Sequence, residues 1–455
     1  MESKTGKPKF RRSMKIPDIK TKPPGPRAQA LIARDHQFTA PAYSRVYPLV
    51  VKQGRGVAIE DVDENLFLDF TAGIAVAATG HAHPQVVEAV QKQAQQFLHF
   101  CGSDFYYEPM IRLAEKLCRA APGPSPKKVF FTNSGTEAVE AALKLARYAT
   151  KRHHIVAFLG GFHGRTLGSL SLTASRAAYR ARFGPLIPGV HHIPYGHCRR
   201  CPYNLEYGAC GIECVETLEK SLFRHVVLPE EVAAIFVEPI QGEGGYIVPP
   251  PEFLPRLKQI CQRHGILLVV DEIQSGFGRT GKMFACEHWN IEPDILCLAK
   301  GIASGLPLGA MIARTDLSTW TRGAHGSTFG GNPVACAASL ATLELLDNAL
   351  VQNAAIVGTH LKARLEHQKT KHAVIHDVRG LGLMLGVELV KPNGSGTPDT
   401  ELRNQVILRA FEKGLLLLGC GVSTLRFSPP LIVNQTQSDV AVGILDETLT
   451  ELTRS

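Results

Sequence analysis

From residue 128 to 315 the chain alternates short β-branched or aliphatic runs with longer Ala-, Leu- and Lys-rich segments whose apolar positions recur at helical spacing. Such alternation predicts a mostly parallel central sheet covered by helices, an α/β fold. The expected strands are Val129–Thr132, Ile155–Leu159, Ala233–Pro239, Ile266–Asp271, Asp294–Ala299 and Leu308–Ala313. Helices are expected between them. Glu137–Arg147 sets Val139, Leu143 and Ala146 at helical spacing, and Glu252–His264 precedes the strand at Ile266. In open sheets of this kind ligands lie beyond the carboxyl ends of the strands, so the residues that follow each run are the candidate site.

A chain of 455 residues exceeds the size at which one hydrophobic core stops growing, so two linked domains are expected. Gly56–Asp69 reads as a hairpin turned at Asp63-Glu64-Asn65. Beyond a helical stretch from Pro333 to about Asn353, strand-like runs return at Met384–Val390 and Thr424–Pro429. The expected division is a basic, Pro-rich arm (1–27), the first part of a small domain (28–84), a large domain (85–345) with a Cys-bearing insertion (195–215), and the rest of the small domain (346–455).

The net charge of +9 is concentrated in the arm, where nine Lys or Arg accompany only Glu2 and Asp18. That distribution suits a solvated arm or a subunit contact better than a nucleic-acid reader. The arm has no apolar core of a secretory signal, and apolar runs such as Ile266–Val270 are too short to span a bilayer. A cytoplasmic protein with no membrane or nucleic-acid partner is expected.

Four clusters carry chemistry. Asn133-Ser134-Gly135-Thr136 follows a strand and opens a helix, where free amides and the helix dipole suit a phosphate. Such a turn also serves as an ordinary helix cap. Asp271 ends one apolar run, and Lys300 ends the next. A lysine at the end of a buried strand is costly unless it is paired or neutral, and a neutral amine is what a Schiff base requires. Phe162 sits among glycines just past the strand Ile155–Leu159. An amine for an aldehyde, a phosphate cradle, an aromatic face and an anion for a ring nitrogen are together the needs of pyridoxal 5′-phosphate.

With these residues stand Leu68-Asp-Phe-Thr-Ala-Gly-Ile74, Phe131-Thr-Asn-Ser-Gly-Thr-Glu137, Gly161-Phe-His-Gly-Arg-Thr166, Glu238-Pro-Ile-Gln-Gly-Glu-Gly-Gly245, Asp271-Glu-Ile-Gln-Ser-Gly-Phe-Gly-Arg-Thr-Gly281 and Gly326-Ser-Thr-Phe-Gly-Gly-Asn-Pro333. In these motifs the sequence resembles the class III aminotransferases of fold type I, over nearly the whole chain after Pro24. The resemblance implies that Lys300 binds the cofactor aldehyde and moves the proton, and that Asp271 pairs with the pyridine N–H. It places Gln274 near the phenolic oxygen, Phe162 on the ring beside His163, and Ser134, Gly135 and Thr136 at the phosphate. It also implies a homodimer with shared sites, Thr328 reaching the phosphate of the other subunit.

For substrate, the resemblance assigns Arg165 to a distal carboxylate and Arg426 to the α-carboxylate of 2-oxoglutarate. Bidentate geometry favours arginine for both. Glu243 matches the glutamate that covers the second arginine when no α-carboxylate is present, and Ile74 and Ser327 complete the substrate set. This pattern points to a ping-pong ω-aminotransferase acting on 4-aminobutyrate or a relative. Amino-acid racemases or epimerases and acetylornithine or ornithine aminotransferases of the same family are the alternatives.

Cys198, Cys201, Cys210 and Cys214 form a C-x2-C-x8-C-x3-C pattern that transamination does not need. Thiolate ligation of zinc or an iron-sulfur cluster, one or two disulfides, and free thiols are the readings open to it, the last two together preferred over metal.

Overall fold

The computed structural model describes residues 16–453. Its centre is a seven-stranded sheet of β4 (Lys127–Thr132), β5 (His154–Phe158), β6 (Val190–Ile193), β7 (Val232–Val237), β8 (Leu267–Asp271), β9 (Ile295–Leu298) and β10 (Gly309–Arg314), in the order β4-β10-β9-β8-β7-β5-β6. Neighbours pair in parallel except at β10, which runs antiparallel to both β4 and β9. All six strands expected from the sequence are present. The edge strand β6 was not expected, because Val190-His-His-Ile193 carries two histidines where a buried strand would be apolar.

Strand β7 is buried at every position, as suits a central strand covered on both faces. One face packs against the helix Gly135–Thr150, whose Ala138, Val139, Ala142 and Ala146 have no solvent exposure. Small side chains there let the helix lie close to the sheet.

The two ends of the chain meet. β1 (Val51–Arg55), β2 (Ala58–Asp61) and β3 (Leu66–Asp69) form an antiparallel sheet that the short strand Leu415–Leu416 extends by pairing in parallel with β3. The β2–β3 turn is tied by Asp61, whose Oδ1 accepts from the amides of Asp63 and Asn65 at 2.9 and 2.8 Å. A separate four-stranded antiparallel sheet comes from Ile375–Leu381, Met384–Leu389, Leu418–Cys420 and Thr424–Phe427.

Three expectations are corrected or bounded. The described part of the basic arm packs on the rest of the chain. Residues 1–15 lie outside the described residues, but Asp18 pairs with Leu66 through two backbone hydrogen bonds and a helix begins at Pro26. The helical stretch from Pro333 runs on to Lys371 through a π-turn at Leu346–Leu350, and by length and composition it is long and apolar enough to cross a bilayer. Its apolar residues instead build the core, with Ala335, Cys336, Ala338 and Leu343 buried. The four cysteines of the insertion line one small cavity with His197, Tyr203 and Ile212, and all are free thiols. Among the described residues no group of three or more His, Cys, Asp or Glu is gathered to hold a metal ion.

Candidate active site

Beyond the carboxyl ends of β4, β5, β7, β8 and β9 lies a cavity of about 500 Å³. It is lined by Ser134, Gly135 and Thr136, by Phe162, His163 and Arg165, and by Glu238, Asp271, Gln274 and Lys300. Each group follows the end of a strand, as expected for an open α/β sheet.

The Asp271-Glu272 pair shows how chain alternation selects one carboxylate. Glu272 turns away and is consumed by structure, its oxygens accepting from the amides of Cys286 and Ala285 at 2.7 and 2.9 Å and from Ser275 Oγ at 2.8 Å. Asp271 faces the cavity wall, where Oδ1 accepts from the amide of Ile273 at 3.0 Å and Oδ2 lies 2.7 Å from His163 Nδ1. Burial opposes a charge on His163, but the Asp271 hydrogen bond and the charges of Asp271 and Glu238 outweigh it and raise the ring's pKa.

Lys300 follows β9 with φ +47°, a left-handed conformation that a residue with a Cβ adopts at a cost. Burial lowers its pKa, against the opposing pull of Asp271 and Glu238, so the amine is closer to neutral than a surface lysine.

The helix Gly135–Thr150 points its N-terminus at the cavity, and its first amides have no intrahelical partner. Ser134 caps it through Oγ and the amide of Glu137 at 3.4 Å. Close approach is built in. A Cβ on Gly135 would lie 2.9 Å from Ile273 Cδ1, and one on Gly164, at φ +132°, would lie 2.3 Å from Thr136 Oγ1. Gln274 Oε1 is buried in the cavity wall without a partner. An amine, an anion, an aromatic face, an amide cradle and an orphan acceptor therefore converge, and they fit pyridoxal phosphate.

A second group of charges adjoins the cavity. Arg165 is exposed and stacks on Tyr179, its guanidinium carbon 4.6 Å from the ring centroid and 5.8 Å from that of Phe162. Arg426 is buried, with Nη1 3.5 Å from Glu243 Oε2 and Nε unpartnered. Glu243 Oε1 takes Tyr179 Oη and Arg176 Nη2, each at 3.1 Å.

Besides Glu243 and Arg426, which adjoin the cavity without lining it, three expected residues lie off it. Ile74 is 47% exposed; it sits in a turn where Ala72, Gly73, Ile74 and Ala75 are all left-handed, and Val76 lines the cavity in its place. Each non-glycine there is disfavoured by roughly 1–2 kcal/mol. Asp69 holds the turn, Oδ1 accepting from Thr71 N and Oγ1 at 2.7 Å and Oδ2 reaching His81 Nε2 at 2.7 Å. Ser327 Oγ accepts from Asn133 Nδ2 at 3.2 Å, one step behind the wall, and Thr328 is exposed.

Sequence reasoning assigned no role to Glu238, Arg176 or Tyr179. Glu238 was legible, since a carboxylate directly after the apolar β7 is the same signal that marked Asp271. It accepts from the amides of Phe162 and Gly242, each at 3.0 Å, and burial raises its pKa to about 7.

Residues 39–449 match the family described as aminotransferase class-III. The chain is 42% identical to an alanine/serine racemase of Pyrococcus horikoshii, covering 96% of this chain and 93% of that one. It is 38% identical to a 4-aminobutyrate aminotransferase of Escherichia coli, covering 92% and 98%. Among solved structures, a PLP-bound amine transaminase from an uncultivated Pseudomonas species superposes with a TM-score of 0.84 at 31% identity, covering 91% of this chain and 98% of that one. The chain therefore belongs to the class-III aminotransferase family, enzymes of fold type I whose cofactor is pyridoxal 5′-phosphate.

Proposed function

We propose that this enzyme moves an amino group from an ω-amino acid of the 4-aminobutyrate kind to 2-oxoglutarate, in two half-reactions at one cavity. The observation that carries the reading is Glu243 placed against Arg426 while Arg165 stays open. With Arg426 covered, Arg165 is the free clamp for the single carboxylate of an ω-amino acid. With Glu243 turned aside, Arg426 gains a bidentate site for an α-carboxylate.

Bound in the cavity, pyridoxal phosphate supplies the aldehyde and the electron-accepting ring. Gly135 and Thr136 would hold its phosphate on the helix N-terminus, Phe162 its ring face, and Asp271, kept in place by His163, its ring nitrogen. The Lys300 amine, brought toward neutrality by burial, is the group that accepts a proton from the substrate carbon and delivers it elsewhere. A second copy of the chain would complete each site with Thr328. It lies exposed beside Phe329, itself 59% exposed, as a residue serving a neighbour would.

The similarity to an alanine/serine racemase favours a second reading, in which Lys300 returns the proton to the same substrate carbon. The two separate cleanly. Holoenzyme mixed with 4-aminobutyrate alone is expected to lose its visible cofactor band, which 2-oxoglutarate then restores. An unchanged band, together with loss of optical activity in enantiopure alanine, replaces the first reading with the second.

A further inference from the structure

We propose that Arg176 and Tyr179 are the resting place of the Glu243 carboxylate while Arg426 holds an α-carboxylate, and so set how well the site accepts ligands that carry one. The proposal rests on the dual-clamp reading above.

The backbone around Glu243 is fixed. Its carbonyl accepts from Gly421 N at 2.7 Å, Gly242 N is bound to Glu238 Oε1 at 3.0 Å, and the carbonyl of Gly245 accepts from Arg379 Nη2 at 2.7 Å. A Cβ on Gly244 would come within 2.5 Å of the carbonyl oxygen of Gly160, so the loop has no room to slide. Motion that frees Arg426 is therefore rotation of the Glu243 side chain alone.

A carboxylate that leaves its arginine must find another partner or water, because an unpaired charge near a low-dielectric wall is strongly disfavoured. Glu243 already has that partner. Its Oε1 is held at 3.1 Å by both Arg176 and Tyr179, whereas the contact of Oε2 with Arg426 is longer, 3.5 Å. Rotation can break the Arg426 contact and keep the other two, with Arg176 then free to take both oxygens. The Arg176 side chain is 40% exposed against 8% for Arg426, so water also solvates the displaced pair better. Arg426, with Nε buried and unpartnered, is left able to bind an incoming carboxylate through two parallel hydrogen bonds.

Tyr179 links the two clamps, its hydroxyl on the Glu243 that covers Arg426 and its ring under Arg165. Burial and the Glu243 charge raise its pKa, which keeps the hydroxyl a donor. Arg176 and Tyr179 are positioning residues, acting on substrate through Glu243.

The test titrates holoenzyme with L-glutamate and with 4-aminobutyrate, reading dissociation constants from the cofactor spectrum. Arg176→Ala is expected to weaken glutamate relative to 4-aminobutyrate by roughly tenfold, the range of one charge-assisted pair. Arg176→Lys should recover most of that loss, and Tyr179→Phe should show a smaller shift of the same sign. In a Glu243→Ala background the Arg176→Ala effect should vanish. Equal weakening of both ligands, no weakening, or an effect that survives in Glu243→Ala overturns the proposal. Should wild type give no spectral response to 4-aminobutyrate, the aminotransferase reading has failed on its own. The same cycle read with L-alanine, which also carries an α-carboxylate, then decides whether Arg176 acts through Glu243.

Discussion

His163 Nδ1 lies 2.7 Å from Asp271 Oδ2, and both residues are buried at the wall of the cavity. The hydrogen bond leaves Asp271 with an acceptor contact on each oxygen, which fixes the orientation of the anion that a cofactor ring nitrogen would pair with. Asp271→Asn removes that charge with almost no change of volume. The expected loss is at least about 100-fold in the rate of the amino-donor half-reaction, in line with removal of one aimed electrostatic group. Stopped-flow absorbance of the cofactor measures it, and a loss below about threefold would remove Asp271 from the mechanism.

Lys300→Ala takes away both the amine and the proton carrier. The variant should still fold, because the left-handed backbone at this position is no harder for alanine than for lysine. Turnover should fall at least about 1,000-fold, and the cofactor should be lost on gel filtration where wild type retains it. Wild-type turnover in this variant is the result that the proposed chemistry does not survive.

The central sheet was legible because six of its strands are apolar runs closed by polar or glycine residues, the pattern that burial on both faces imposes. Asp271 and Lys300 were legible for the same reason, as charges standing where such a run ends. Most of what escaped was set by contacts that periodicity does not encode. Nothing local to Leu415–Leu416 shows that these residues pair with Leu68 and Asp69. Ile74 was placed by its motif, but the left-handed turn that exposes it depends on Asp69 and His81. Arg176 and Tyr179 meet Glu243 across more than 60 intervening residues, a distance that periodicity does not bridge.

Gly164 tests the phosphate cradle without touching a charged group. At φ +132° any side chain is strained, and a Cβ there would press within 2.3 Å of Thr136 Oγ1 and 2.5 Å of Ser169 Oγ. Gly164→Ala should therefore weaken cofactor binding by about tenfold or more, for a displacement worth about 1.4 kcal/mol. Equilibrium dialysis against pyridoxal phosphate reads the affinity, and far-UV circular dichroism should show the fold retained. Unaltered affinity would mean that this turn does not shape the site.

Glu238 gives a pH dependence whose sign follows from its position. Burial raises its pKa from the ordinary 4.5 to about 7, with Asp271 adding to the rise and His163 and two backbone amides opposing it. The folded protein thus keeps a proton on Glu238 that the unfolded chain has already released above pH 4.5. Where the native state binds the extra proton, stability falls as pH rises. Cofactor-free protein should lose on the order of 1–3 kcal/mol between about pH 5 and 7.5 on this account. Glu238→Gln mimics the protonated form and should lack that part of the slope. Urea midpoints at half-unit pH steps, wild type against variant, measure the difference. Parallel profiles would show that Glu238 is ionised throughout, and the charge facing Lys300 would then be two carboxylates rather than one.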